Sequence, residues 1–422
     1  MIRNNSQKLY AKAKGCTPYG VSSPVRSFAP FPVFMKDGRG DVITDVDGND
    51  YIDFCMAYGP LIFGHAPERV SKIVKQQIDK GTVYGTPSEL ELDLLKKICA
   101  RLPCATSVRL TNSGTEATMH ALRLARGHTG KNGIVKINGG FHGAHDALLA
   151  KASADKFASC IPNSKGVPED AVRNTYSVEY NDTQSLSDLL TKRDDIAALI
   201  MEPIMGNCGV ITPNKGYLDD VRKITSENDV LLIFDEVITG FRVARDSAQG
   251  LYGVTPDLCT LGKIIGGGFP AGAVAGKKAI MNDLAPSGGI YQAGTFSGNP
   301  ITAAAGSAML DLLTPEIYRR LRRKTDIAVS AMNDAIFDND VKACIQSENS
   351  MFQVFFGVES VENHADSLKV DAITYREMFK HMLDSRIYIP PAAFEVNFIS
   401  SSHTDEHIQQ MTELFKQFIG GV

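Results

Sequence analysis

VLLIFDEVITGFRVARDSAQGLYGVTPDLCTLGKIIGGGFPAGAVAG, residues 230–276, decides the fold. It holds three apolar runs, at 230–234, 258–261 and 272–275, each short, continuous and bounded by turn residues. Runs of that length without polar alternation suit strands buried on both faces of a mostly parallel sheet. Toward the N-terminus the same texture recurs at 107–110, 133–137 and 196–201, with helical stretches such as 115–126 and 215–227 between. The alternation predicts a doubly wound α/β domain, a mostly parallel sheet with helices on both faces.

Before this region stand two amphipathic helices, at 66–80 and 88–102. Earlier still, a polar helix at 4–14 leads into short strands broken at Asp37-Gly38 and Asp47-Gly48-Asn49-Asp50, which reads as a small meander. Beyond it, a long helix starts near Asn299, and strand and helix patterns alternate again after about residue 345. The expected division is an N-terminal segment over 1–60, a catalytic domain over 61–300 and a small C-terminal domain over 301–422. Small α+β segments thus flank the central domain.

Composition narrows the function. Of 422 residues, 43% are hydrophobic and 22% charged, the profile of a globular protein. A net charge of −4 gives no electrostatic reason to expect nucleic acid or an anionic membrane as partner. The basic run at 319–324 lies on a helical pattern and reads as a solvated face. The eight cysteines form no CxxC pair, so zinc-ribbon and thioredoxin-like chemistry is excluded and no metal is expected. The opening residues lack an apolar leader, and no run reaches the length of a membrane span, so a cytoplasmic protein is expected.

Three segments carry chemistry. Asn112-Ser113-Gly114-Thr115-Glu116 follows an apolar run and opens a helix; Ser113 is a candidate N-cap and Gly114 admits close backbone approach. Amides at such a helix start suit a phosphate, although an ordinary capped helix reads the same way. The run 231–234 ends in Asp235-Glu236, acids at the edge where α/β sheets bind ligands. Either a magnesium-binding strand or an acid paired with a protonated pyridine nitrogen fits. The first needs GxxxxGK[ST]; Lys131 and Lys263 are followed by Asn132 and Ile264, so the pyridine reading survives. Lys263 follows a buried run and precedes Gly266-Gly267-Gly268. Burial and nearby cations depress a lysine there, as a Schiff-base amine requires. A lone loop lysine is usually solvated; this one accompanies an acid strand and a phosphate cup.

In this order, cup, acid and lysine resemble the class III aminotransferases of pyridoxal-5′-phosphate (PLP) fold type I, and among them the glutamate-1-semialdehyde aminomutases. The resemblance runs nearly end to end, through GVSSPVRSF (20–28), YGPLIFGH (58–65), LTNSGTEATMHALRLARGHTGK (110–131), IFDEVITGFRVA (233–244) and YQAGTFSGNP (291–300). It implies PLP on Lys263, its phosphate held by Ser113, Gly114 and Thr115, with Thr295 reaching in from the partner of a homodimer. Phe141 and Val237 would bracket the ring, with His142 beside it, Asn207 near the ring hydroxyl and Asp235 on the ring nitrogen. Arg26, Tyr58 and Glu395 would contact a small amino-acid-like substrate, Arg26 gripping its carboxylate and Glu395 disfavouring a second one. The implied activity is an isomerase making the tetrapyrrole precursor 5-aminolevulinate through a diamine, with PLP and its pyridoxamine form in the cycle. A class III transaminase or PLP lyase acting on another ω- or β-amino compound is the alternative.

The chain departs from that family in three places. Tyr58 stands where tryptophan is usual, Phe141 where tyrosine is usual, and the gating loop reads KASADKF over 151–157 with Ala154 at a serine position.

Overall fold

The computed structural model describes residues 3–155 and 157–421, so Lys156 of the expected gating loop lies outside the described residues. Two compact units emerge. One gathers the described residues of Met1–Glu68, Arg319–Ser360 and Lys369–Val422; the other comprises Arg69–Tyr318 and Val361–Leu368. The terminal segments, read separately from the sequence, therefore share one unit.

The larger unit is built on a seven-stranded sheet. In chain order its strands are β1 (Ser107–Thr111), β2 (Gly133–Ile137), β3 (Thr175–Val178), β4 (Ile196–Met201), β5 (Leu231–Glu236), β6 (Leu258–Gly262) and β7 (Gly272–Gly276). They lie in the order β1-β7-β6-β5-β4-β2-β3. Only β7 runs against its neighbours, pairing antiparallel with both β6 and β1. The parallel register sets Asp235 of β5 opposite Thr260 of β6, so the ends of both strands open on one edge of the sheet.

All six residues of β4 are buried, as a strand covered on both faces requires. One face packs Ile134, Ile200, Ile233, Leu258 and Val274 against Ala117, Ala121 and Leu124 of helix α1 (Gly114–Thr129). Each large aliphatic side chain withdrawn from water there contributes about 1.5–3 kcal/mol. The strand Thr175–Val178 is absent from the apolar runs of the sequence; its Thr and Ser break the signal.

In the smaller unit the expected meander is present as Met35–Arg39, Val42–Asp45 and Asp50–Asp53. Its fourth strand, Ile387–Tyr388, comes from far along the chain and pairs parallel with Asp50–Asp53. A second sheet of Ala343–Glu348, Met351–Phe356 and Asn397–Phe398 completes this unit with the helices Pro315–Asp338, Ala372–Asp384 and Asp405–Ile419. All eight cysteines are free thiols. Among the described residues no helix is long and apolar enough to cross a membrane.

Candidate active site

Ser113 caps α1: its hydroxyl accepts from the Glu116 amide at 3.1 Å, while Glu116 reaches back to the Asn112 amide at 2.8 Å. Such a cap contributes about 1 kcal/mol and leaves the first helical amides, at Gly114 and Thr115, for an outside acceptor. A Cβ on Gly114 would meet Val237 Cγ2 at 2.9 Å, so only glycine allows α1 this close to the end of β5. Thr115 is tied in from the other side, its hydroxyl accepting from the Ala144 amide at 3.3 Å.

Asp235 is buried at the end of β5. Its Oδ1 accepts from the Thr260 hydroxyl at 2.9 Å and from the Val237 amide at 3.1 Å. Its Oδ2 lies 2.7 Å from Nδ1 of His142, also buried. Nε2 of His142 is enclosed without a partner among the described residues. His145 is held neutral beside it: burial, then His142 and Arg126, drop that imidazole to about 4.

Lys263 follows β6 directly and takes a left-handed backbone, with φ of 47°. That conformation costs a non-glycine residue about 1–2 kcal/mol and persists only where the surroundings impose it. A Cβ on Gly262, before it, would meet Val237 Cγ1 at 3.1 Å, so Val237 crowds both the α1 start and the Lys263 turn.

A buried acid that the sequence alone did not single out ties two loops together. Glu202 follows β4 as Asp235 ends β5, and burial, the largest influence, pushes its carboxyl up. One oxygen accepts from the Phe141 amide at 3.2 Å, the other from the Gly206 amide and the Asn207 side chain, each at 2.9 Å. Phe141 is 52% exposed, a large aromatic held by its backbone with its ring open to an occupant. The signal for Glu202 was present: an acid closing a wholly apolar strand. Replacing it by leucine strands three donors, and about 1–3 kcal/mol each is the expected cost. Thermal unfolding of the apoprotein should show a lowered midpoint; an unchanged one would refute the hub.

Ser113, Gly114, Thr115, Phe141, His142, Asn207, Asp235, Val237 and Lys263 are thus linked by direct contacts or by neighbours within one unit. Thr295 is exposed on the loop before Asn299. Arg26, Tyr58 and Glu395 all belong to the smaller unit, where Arg26 and Tyr58 line a cavity of about 510 Å³. Burial raises the Tyr58 phenol, with Cys55, Tyr388 and Glu395 adding to the effect, so it remains a hydrogen-bond donor. In the segment 151–157, Asp155 accepts from the Phe157 amide at 3.0 Å, and the Lys192 ammonium lies 3.2 Å from the centre of the Phe157 ring.

A phosphorylated pyridine fits the larger unit's donor set: amides for the phosphate, a buried acid for the ring nitrogen, an open aromatic for the ring face and an amine nearby. Comparison with known proteins agrees. The Aminotransferase class-III model matches residues 24–419. A protein of Methanobrevibacter smithii named glutamate-1-semialdehyde 2,1-aminomutase is 52% identical over 97% of this chain and 96% of its own. An omega-transaminase from Sphaerobacter thermophilus superposes with a TM-score of 0.93 at 29% identity, covering 98% of this chain and 97% of that one. A structure described as a transaminase with PLP bound gives 0.91 at 30% identity, covering 100% and 98%. The chain belongs to the class III aminotransferases, a pyridoxal-phosphate-dependent family.

Proposed function

We propose that the enzyme is an aminomutase converting (S)-4-amino-5-oxopentanoate, glutamate-1-semialdehyde, to 5-aminolevulinate. The observation that carries this reading is the 52% identity, over nearly the whole of both chains, to a relative of that name. When bound, PLP supplies an electron sink for charge developing at the substrate carbon that bears nitrogen.

The chain's own groups do the rest. The Gly114 and Thr115 amides with Ser113 hold the phosphate at the positive end of α1. Asp235 keeps a proton on the ring nitrogen, itself oriented by His142 and Thr260. Phe141 and Val237 would hold the ring by its faces, with Asn207 toward its hydroxyl. Nζ of Lys263 would move the proton between carbon atoms, as general base and then acid. Arg26 presents a planar fork to the substrate carboxylate, and Glu395 repels a second carboxylate, which selects the semialdehyde over glutamate. With the cofactor supplied in its aminated form, these residues would let the substrate serve as both amino acceptor and donor, so no second amino acid would be needed. Two copies form the working enzyme, Thr295 of each completing the other's phosphate cup. Its place is the cytoplasm, where eight free thiols stay reduced.

Supplied with the semialdehyde alone, the enzyme should release 5-aminolevulinate over many turnovers with no added amino donor. No 5-aminolevulinate, together with ready transfer from a β- or ω-amino acid to 2-oxoglutarate, would establish a transaminase instead.

A further inference from the structure

Within the smaller unit, Met56, Ala57 and Tyr58 have φ of 45°, 53° and 64°, and Gly59 follows at 119°. Three consecutive side-chain-bearing residues in the left-handed region do not hold that shape unaided. Asp53 imposes it. Its Oδ1 accepts from the amides of Cys55 at 2.9 Å and Met56 at 3.0 Å, and its Oδ2 is engaged by Nε2 of His65 at 2.7 Å. The turn closes with the Tyr58 amide donating to the Cys55 carbonyl at 2.8 Å.

What this clamped turn delivers is the Tyr58 phenol, which donates to the backbone carbonyl of Val25 at 2.7 Å. Val25 lies inside the short turn Pro24–Arg26, whose last residue is Arg26. Both Arg26 and Tyr58 line the 510 Å³ cavity, together with Lys36, Cys55, His65 and Tyr388. The Val25 carbonyl belongs to the peptide unit that leads into Arg26, so this anchor fixes the point from which the exposed Arg26 side chain starts.

We propose that Tyr58 is a positioning residue for a carboxylate site: its hydroxyl, set by the strained turn that Asp53 and His65 clamp, fixes the backbone from which Arg26 reaches the cavity. The ligand class is a short aliphatic carboxylic acid. This inference rests on the reading of Arg26 as the carboxylate-binding residue.

The test is isothermal titration of the holoenzyme with pentanoate and with pentanamide, its neutral isostere. Tyr58→Phe removes one hydroxyl and retains the ring, and the visible spectrum of the bound cofactor verifies that the variant is folded. The wild-type enzyme should prefer pentanoate, and Tyr58→Phe should weaken pentanoate about five-fold, the worth of one hydrogen bond, with pentanamide unaffected. In an Arg26→Gln background the same substitution should no longer change pentanoate affinity, because the phenol acts through Arg26. A wild-type enzyme blind to the charge overturns the Arg26 reading and the inference with it. A wild-type enzyme that discriminates, with Tyr58→Phe unchanged or equally weakened in both backgrounds, overturns the positioning role alone.

Discussion

Lys263→Ala is expected to lower 5-aminolevulinate formation by about 10³-fold or more, while the apoprotein unfolds at nearly the wild-type temperature. A positioned acid–base group contributes about 10²–10⁴-fold, and loss of the covalent anchor adds to it. Stability should change little, because alanine tolerates the left-handed backbone at 263 no worse than lysine does. Location singles this lysine out. It follows β6 at the sheet edge where Asp235 ends β5. Lys277 sits at the other edge, since antiparallel β7 brings Gly276 opposite Leu258, and its ammonium is 2.5 Å from Asp257. Lys131 is likewise engaged, donating to the Asp229 carbonyl at 3.1 Å. Borohydride reduction of the wild-type holoenzyme followed by peptide mapping should therefore leave the pyridoxyl mass on Lys263. Label on Lys131 or Lys277 would sink the assignment.

Six of the seven strands of the main sheet were legible as apolar runs, because a strand covered on both faces has no polar register to disguise it. Thr175–Val178 escaped at the edge, where two hydroxyl residues in four blur the run. The reversed direction of β7 was not legible at all: hydrophobic periodicity carries no sign, and Gly272–Gly276 reads the same either way. Nor was the pairing of Ile387–Tyr388 with Asp50–Asp53, which joins segments more than 330 residues apart in the chain.

In the site, residues whose role depends on their place along one element could be read locally. Ser113 at a helix start, Asp235 at a strand end and Lys263 after a buried run are of this kind. Residues whose role depends on a distant partner were invisible or underspecified. The contact of His142 with Asp235 spans 93 positions, and that of Glu202 with Phe141 spans 61. Asp53 and His65 were hidden for a different reason. Their task is to hold a left-handed turn at 56–58, in residues whose types give no hint of positive φ.

Asp235→Asn is expected to cut turnover by about 10²–10⁴-fold with little change in folding. Asparagine has nearly the same shape, and its carbonyl oxygen can still accept from Thr260 and Val237 as Oδ1 now does. What disappears is the negative charge. A carboxylate beside a pyridine nitrogen favours the protonated ring, and each pKa unit of that preference is worth about 1.4 kcal/mol. Two or three units lost would leave a ring that withdraws electrons poorly, and the barrier to removing the substrate proton rises accordingly. The amide also reverses one hydrogen bond: Nδ2 donates where Oδ2 accepted, so His142 must present a bare Nδ1 to it. That tautomer puts the ring proton on Nε2, which the surrounding residues leave without a partner. Two errors thus compound, one in charge and one in the tautomer of the neighbouring imidazole. The measurement pairs turnover of the semialdehyde with a pH titration of the bound cofactor's visible absorbance. The variant's absorbance should titrate at lower pH than the wild type's, because the protonated ring has lost its counter-charge. Turnover near the wild-type rate, with the cofactor titrating unchanged, would make Asp235 a structural acid and leave the ring nitrogen without an assigned partner.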